Sequence, residues 1–209
     1  MPRPRQFDEA AALAAVRNEF ARKGYEATSL DDLMRVTGLG KGSLYGAFGG
    51  KRQLFLSALQ LYCDASLQAM HDSLSSDKPA IEKLRGLFCV PDLGKGNTTS
   101  YRGCFLANSA TELAAHDHDV RGMARLTYKS VEAMLISVVA QAQDSGDLPN
   151  TVEPVAFSRL LLTIMQGMEF LQKSGMVPEE IRGIACIAET FLLFKPTETQ
   201  QSHRSKTDS

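Results

Sequence analysis

Lys41, Ser43, Tyr45 and Lys51 fall within one stretch of eleven residues. Two ammonium groups, a hydroxyl and a phenol at this spacing suit a grip on phosphate oxygens and reach toward a base edge. Gly38-Leu39-Gly40 ahead of them reads as a tight turn, and Gly42 is small enough to let a backbone approach a duplex. A helix starting at Lys41 offers free amides and a positive dipole end to a phosphate. Leu44 and Phe48 point the other way, into a core. A second candidate chemistry belongs to Cys104, expected near a helix start and close to Arg102, both of which depress a thiol's pKa. The alternative for Cys104 is a buried, inert core cysteine. His116-Asp117-His118-Asp119 has metal-ligand types, but residues this close in sequence do not all converge on one ion, and Asp before a helix is an ordinary cap. No metal and no cofactor is expected.

The elements that must position these groups are helices. Apolar residues recur at helical spacing from Asp8 to Lys23, where Gly24 ends the run. Ser29 and Asp32 form a capping box for a short second helix that Gly38 stops. A third helix runs from Lys41 to about Phe48, and a longer fourth from Lys51 to about Ser73. Further helices are expected over Pro79–Cys89, from Gly103 to about Ala115, from Asp117 to about Ser145, and over Pro154–Lys173 and Pro178–Phe194. Pro91–Ser100 has loop composition. No strand pattern appears, so the fold class is all-α: a three-helix helix-turn-helix head over residues 1–52, a helical body over 53–195, and a polar tail over 196–209 expected to be disordered.

Composition agrees. The 209 residues are 44% hydrophobic and 22% charged, an ordinary globular balance. The net charge of -1 averages unlike halves. Through Arg52 there are nine Lys or Arg against six Asp or Glu, while the remainder has fourteen against eighteen. A basic head on an acidic body fits a phosphate-binding module joined to something else. The four cysteines include no CxxC pair, which points to thiols in a reducing cytoplasm. No apolar run approaches the ~20 residues of a membrane span. Cys63, Cys89 and Cys186 lie on apolar helical rows and are expected in the core.

Gly24-Tyr25-x-x-Thr28-Ser29-Leu30, Asp32-Leu33 and Gly38-Leu39-Gly40-Lys41-Gly42-Ser43-Leu44-Tyr45-x-x-Phe48-x-x-Lys51 together resemble the signature of the TetR family of bacterial repressors. The match covers roughly Phe7 to Leu56. It implies that Thr28, Ser29, Lys41, Gly42, Ser43, Tyr45 and Lys51 face double-stranded operator DNA, with Arg3-Pro-Arg5 as either a minor-groove arm or a plain terminus. Gly40 stands where a capping serine is common, and Met34 and Thr37 where alanines are. Gly46 and Ala47 replace larger contact residues, so readout would rest on Lys41, Ser43 and Tyr45.

The resemblance also implies a body that binds a small molecule and pairs through its last two helices. The expected homodimer contacts are Phe157, Leu161, Ile164, Ile184, Ala188 and Phe191, and the partner DNA is a near-palindrome. The segment Tyr101–Asn108 is similar to a region of family members that respond to electrophiles. It nominates Tyr62, Phe88, Cys104, Phe105, Asn108, Met165 and Glu169 around an inducer. Gln166, Glu169 and Arg159 either orient a polar ligand group or hydrogen-bond across the dimer. The implied function is a ligand-responsive repressor, not an enzyme. The competing functions are a thiol-dependent enzyme, which no catalytic constellation supports, and a helical scaffold without DNA binding.

Overall fold

A computed structural model of the chain describes residues 7–89 and 103–193, the side chains of Phe191 and Leu193 excepted. The expected arm at Arg3–Arg5, the loop at 91–100, Tyr101, Arg102, the Phe191 side chain and the tail over 196–209 lie outside the described residues. Within them the chain is helical without a strand: α1 (Glu9–Lys23), α2 (Leu30–Thr37), α3 (Lys41–Phe48), α4 (Lys51–Leu74), α5 (Ala80–Gly86), α6 (Phe105–Leu113), α7 (His118–Asp144), α8 (Pro154–Lys173) and α9 (Pro178–Leu193).

Local chemistry sets the ends. Asp8 caps α1 by accepting from the amides of Ala10 and Ala11. Ser29 and Asp32 close the expected capping box on α2: Ser29 Oγ accepts from Asp32 N at 3.1 Å and Asp32 Oδ2 accepts from Ser29 N at 3.0 Å. Gly38 ends α2 at φ 68°, a left-handed conformation that glycine adopts without a Cβ clash, and so turns the chain sharply into α3. α5 is shorter than expected, ending at Gly86, with Phe88 and Cys89 in the turn that follows.

Two apolar clusters form the interior. One lies in the body and gathers Leu74, Leu84, Phe88, Leu135, Val138, Val139, Leu161 and Ile181. The other starts in the head with Val16, Phe20, Leu33 and Leu44 and continues through Leu54, Phe55, Ala58 and Leu59 of α4. It does not stop there. Phe105 and Leu106 of α6 and Val120 and Ala124 of α7 belong to the same cluster. Phe55 stacks edge-on to Phe20 at 5.1 Å and to Phe105 at 5.8 Å, so one ring is shared by head and body. The expected division between residues 52 and 53 falls in the first turn of α4, and the packing runs across it. Of the cysteines expected inside, Cys63 is buried, whereas Cys89 and Cys186 are exposed. Helical spacing marks a row, not which side of a helix has neighbours.

Candidate nucleic-acid interface and effector cavity

Leu33 on α2 and Leu44 on α3 are fully buried and seat the second and third helices on the head's core. That leaves Lys41, Gly42 and Ser43 exposed at the N-terminal end of α3, with Tyr45 half-buried beside them. Gly40 caps α3 without a side-chain hydrogen bond, so the amides of the first turn face outward with no internal acceptor from a cap side chain. The Lys41 ammonium lies 5.9 Å from the centre of the Tyr45 ring. Lys51 is turned toward the α1–α2 turn, 4.4 Å over the Tyr25 ring and 3.4 Å from the Glu26 carbonyl oxygen. Of the other residues expected at DNA, Ser29 is exposed but its hydroxyl is engaged with Asp32. Thr28 corrects the expectation. It is 1% exposed, and its hydroxyl donates to the Gly24 carbonyl at 2.6 Å, which locks the turn from α1 into α2. No Cβ at Gly46 would meet a neighbour, so this part of α3 is a smooth surface.

An ion-pair network holds the head rigid. Glu19 is buried on α1 and binds Arg22 at 2.5 Å and Arg35 of α2 at 3.1 Å. Lys23 reaches Asp32 at 2.6 Å. The Lys23 ammonium, then the Ser29 amide and hydroxyl, hold the Asp32 carboxyl well below the usual carboxylate range.

A cavity of about 380 Å³ opens where the head meets the body. One wall is the C-terminal end of α1 from Phe20 to Tyr25; the other comes from Gly103–Glu112 and from Gln166, Glu169, Phe170 and Lys173 of α8. Of the residues expected at a ligand, Cys104, Phe105, Asn108 and Glu169 line it. Tyr62 stands behind them, packed edge-on to Phe105 at 5.7 Å. Phe88 and Met165 do not join: Phe88 is buried in the body cluster and Met165 packs against that same cluster. Phe88 follows α5 and is taken up by the body's core, away from the cavity lining. Arg159 pairs with Glu132 at 2.6 Å, outside the cavity.

Cys104 does cap α6, its sulfur accepting from the Ala107 amide at 3.4 Å. The expected depressed thiol pKa is overturned. Burial pushes the thiol above its ordinary value and outweighs the helix amides that pull it down. Burial likewise raises the Glu169 carboxyl and the phenols of Tyr62 and Tyr128. Tyr128 donates to Gln166 Oε1 at 3.2 Å, and Lys173 Nζ donates to Asn108 Oδ1 at 2.6 Å. Residue spacing carries no sign of Tyr128 or Lys173 at this site. Tyr128 lies one turn beyond Ala124 on α7, a row that only the packed structure turns toward Cys104.

Residues 12–58 match the family described as bacterial regulatory proteins, tetR family, and residues 80–180 match the tetracyclin repressor-like C-terminal domain. The HTH-type transcriptional regulator YezE of Bacillus subtilis is 31% identical over 148 residues, 71% of this chain and 76% of YezE. The chain belongs to the TetR family. It is a DNA-binding transcriptional regulator. The HTH-type transcriptional repressor ComR of Escherichia coli is 29% identical over 184 residues, 88% of each chain. The fold also matches the TetR-family regulator CifR, in a cysteine variant complexed with 26-bp operator DNA, with a TM-score of 0.73 at 24% identity, covering 90% of this chain and 98% of that one.

α8 packs along α9, and the C-terminal part of α8 reaches the head through the cavity wall. Among the expected dimer contacts, Leu161 and Ala188 are buried inside the subunit, leaving nothing to present to a second one. Phe157, Ile164 and Ile184 are partly buried and pack on the body cluster. Among the described residues, the large apolar side chains that α8 and α9 expose are Leu160 at 48%, Phe170 at 67% and Ile187 at 60%. Leu160 neighbours Leu161, and Ile187 neighbours Ala188. One residue along a helix is a 100° rotation, enough to exchange inside for outside.

Proposed function

We propose that this regulator is a repressor that binds a near-palindromic operator as a homodimer and is released when a small molecule or electrophile enters the cavity beside Cys104. The dimer forms through the exposed apolar rows of α8 and α9 around Leu160 and Ile187. Each α3 enters a major groove, the two lying about 34 Å apart, with Lys41, Ser43 and Tyr45 carrying the contacts.

The observation behind release is that the cavity has a head wall and a body wall. An occupant therefore touches both parts and favours one relative placement of them over another. A hundredfold loss of operator affinity requires the occupant to prefer the released state by about 2.7 kcal/mol, which a few buried apolar contacts or one covalent bond supplies. Phe20 and Phe105 provide apolar wall, and Cys104 is the nucleophile a covalent effector would use.

The test is operator binding by fluorescence anisotropy, on a duplex that the protein itself selects from a random pool. Affinity should fall steeply with salt, since lysine–phosphate contacts release counterions. N-ethylmaleimide should release the wild-type protein. Cys104→Ser should resist it while binding the duplex normally. Salt-independent binding, or equal release of both proteins, overturns the respective half of the proposal.

A further inference from the structure

The cavity ends at a thiol with a carboxyl beside it. Cys104 and Glu169 share the cavity wall, the thiol and the carboxyl near enough for each to perturb the other, and Tyr62 stands behind the sulfur, packed on Phe105. Glu169 Oε2 is buried without a hydrogen-bond partner. Among the described residues no cation pairs with Glu169. The nearest ammonium on its own helix, Lys173, is engaged with Asn108. Across the cavity Arg22 is committed to Glu19 and Lys23 to Asp32. Among the described residues, Cys63 of α4 and Tyr128 of α7 are the other titratable groups around the sulfur. A buried acceptor oxygen with nothing to accept is costly, about 1–3 kcal/mol, and its persistence beside a thiol asks for a role.

We propose that Glu169 is the proton acceptor for Cys104, and that the pair makes this cavity a site for conjugated carbonyl electrophiles. The inference rests on the effector reading above and goes one step further, to the chemistry of the bond. A thiolate formed by losing its proton to solvent would add a second negative charge beside a buried carboxylate. Passing that proton to Glu169 instead leaves one negative charge in the pair, so ionising the sulfur carries little extra desolvation cost. The sulfur lone pair then forms the C–S bond at the β-carbon, and the π electrons of the C=C bond move onto the carbonyl as an enolate. The proton held by Glu169 goes to the α-carbon. Nothing leaves, no oxidant is consumed, and the carboxylate is regenerated. The Tyr62 hydroxyl steadies the sulfur charge during the step. Phe105 and Phe170 supply the apolar walls, and Lys173 a donor for the carbonyl oxygen.

The test measures acrylamide addition to the full chain carrying Cys89→Ser and Cys186→Ser, which removes the two exposed thiols. The adduct is located by peptide mass and its rate followed from pH 6 to 9. With Glu169 present the rate should depend only weakly on pH below 8. Glu169→Gln should react at least tenfold more slowly at pH 7, its logarithmic rate rising with unit slope in pH. Glu169→Asp should fall between them with the weak pH dependence restored, a pattern that a purely structural role would not produce. If Cys104 reacts, but with the same rate and pH profile in all three proteins, the proton-acceptor role is overturned and the effector reading stands. If Cys104 takes no acrylamide with Glu169 intact, both the role and the thiol-based effector reading are overturned together.

Discussion

Glu112, on α6 of the body, accepts the backbone amides of Tyr25 at 2.9 Å and Glu26 at 2.8 Å in the head. These amides follow the C-terminal end of α1, where the chain turns toward α2 and has no helical acceptor for them. α4 is the covalent link between head and body, but it is not the sole mechanical one. Arg52 at the start of α4 adds a further tie, reaching Asp117 at 3.0 Å and Asp119 at 2.6 Å at the start of α7. The Glu112 clamp forms one edge of the cavity, so the proposed effector would sit against the joint it has to move.

Glu112→Ala should therefore loosen the joint more than the fold. Two exposed hydrogen bonds to a carboxylate contribute on the order of 1 kcal/mol together, which in a chain of this size lowers the melt by about 2–4 °C. Hydrogen exchange should quicken at the amides of Tyr25 and Glu26 and remain slow in the middle of α7. Uniformly faster exchange across the body would mean that Glu112 supports the fold at large and not this joint. A side chain at Gly24 tests the same contact from the other side. Its Cβ would lie 2.8 Å from Glu112 Oε2, at a φ of 85° that disfavours any residue but glycine, so Gly24→Ala should destabilise more than Glu112→Ala.

The two faces of α3 should separate cleanly under mutation. Leu44 is fully buried, and Leu44→Ala should cost about 2–5 kcal/mol in a urea melt. Lys41→Ala and Tyr45→Ala touch no core packing of that kind. They should leave the melt nearly unchanged while weakening operator binding, and Lys41→Ala should also reduce the salt slope of binding by about one. Unweakened binding by both variants would move the DNA face away from α3.

What was legible in the sequence was local. Ser29 with Asp32, Gly38 and the alternation of Leu33 and Leu44 with Lys41 and Ser43 all act within a few residues, and a capping box or a left-handed turn declares itself by residue type. Cys104 at a helix start was legible for the same reason. Relations across the chain were not. Tyr25 and Glu112 are 87 residues apart, and neither identity implies the other. The direction of the Cys104 shift was missed because helix-end amides can be read from sequence, whereas burial depends on α4, α7 and α8 closing around the sulfur. On α8 and α9 the rows were visible but not their orientation. With apolar residues on two sides, Leu160 and Leu161 are equivalent to a periodicity argument, and only packing tells them apart.

That orientation gives a direct test of the dimer. Ile187 is exposed on α9, as Leu160 is on α8. Ile187→Glu should leave the subunit folded, since it disturbs no buried contact, and should shift sedimentation from dimer to monomer. Ala188→Glu, one residue along, should unfold the body because Ala188 packs inside it. A dimer that survives Ile187→Glu with unchanged affinity would place the interface elsewhere.

Asp32 and Glu169 should pull stability in opposite directions with pH. The folded-state pKa of Asp32 is depressed, chiefly by Lys23. Its contribution is therefore present above the unfolded value of about 3.9 and is lost as pH falls through the folded one. Asp32→Asn should make the stability profile flatter on the acid side of about pH 4. Glu169 is the reverse case, its folded pKa raised chiefly by burial. The cost of ionising it inside is absent below the unfolded value of about 4.3 and grows as pH rises through the folded one. Glu169→Gln keeps the shape of the protonated acid, so it should melt above the wild type at pH 7–8, with the gap closing as pH approaches 4. Urea melts from pH 3 to 8 measure both. A Glu169→Gln gap that does not change with pH would mean that the carboxyl is as easily ionised in the cavity as in water, and that its buried oxygen has solvent after all.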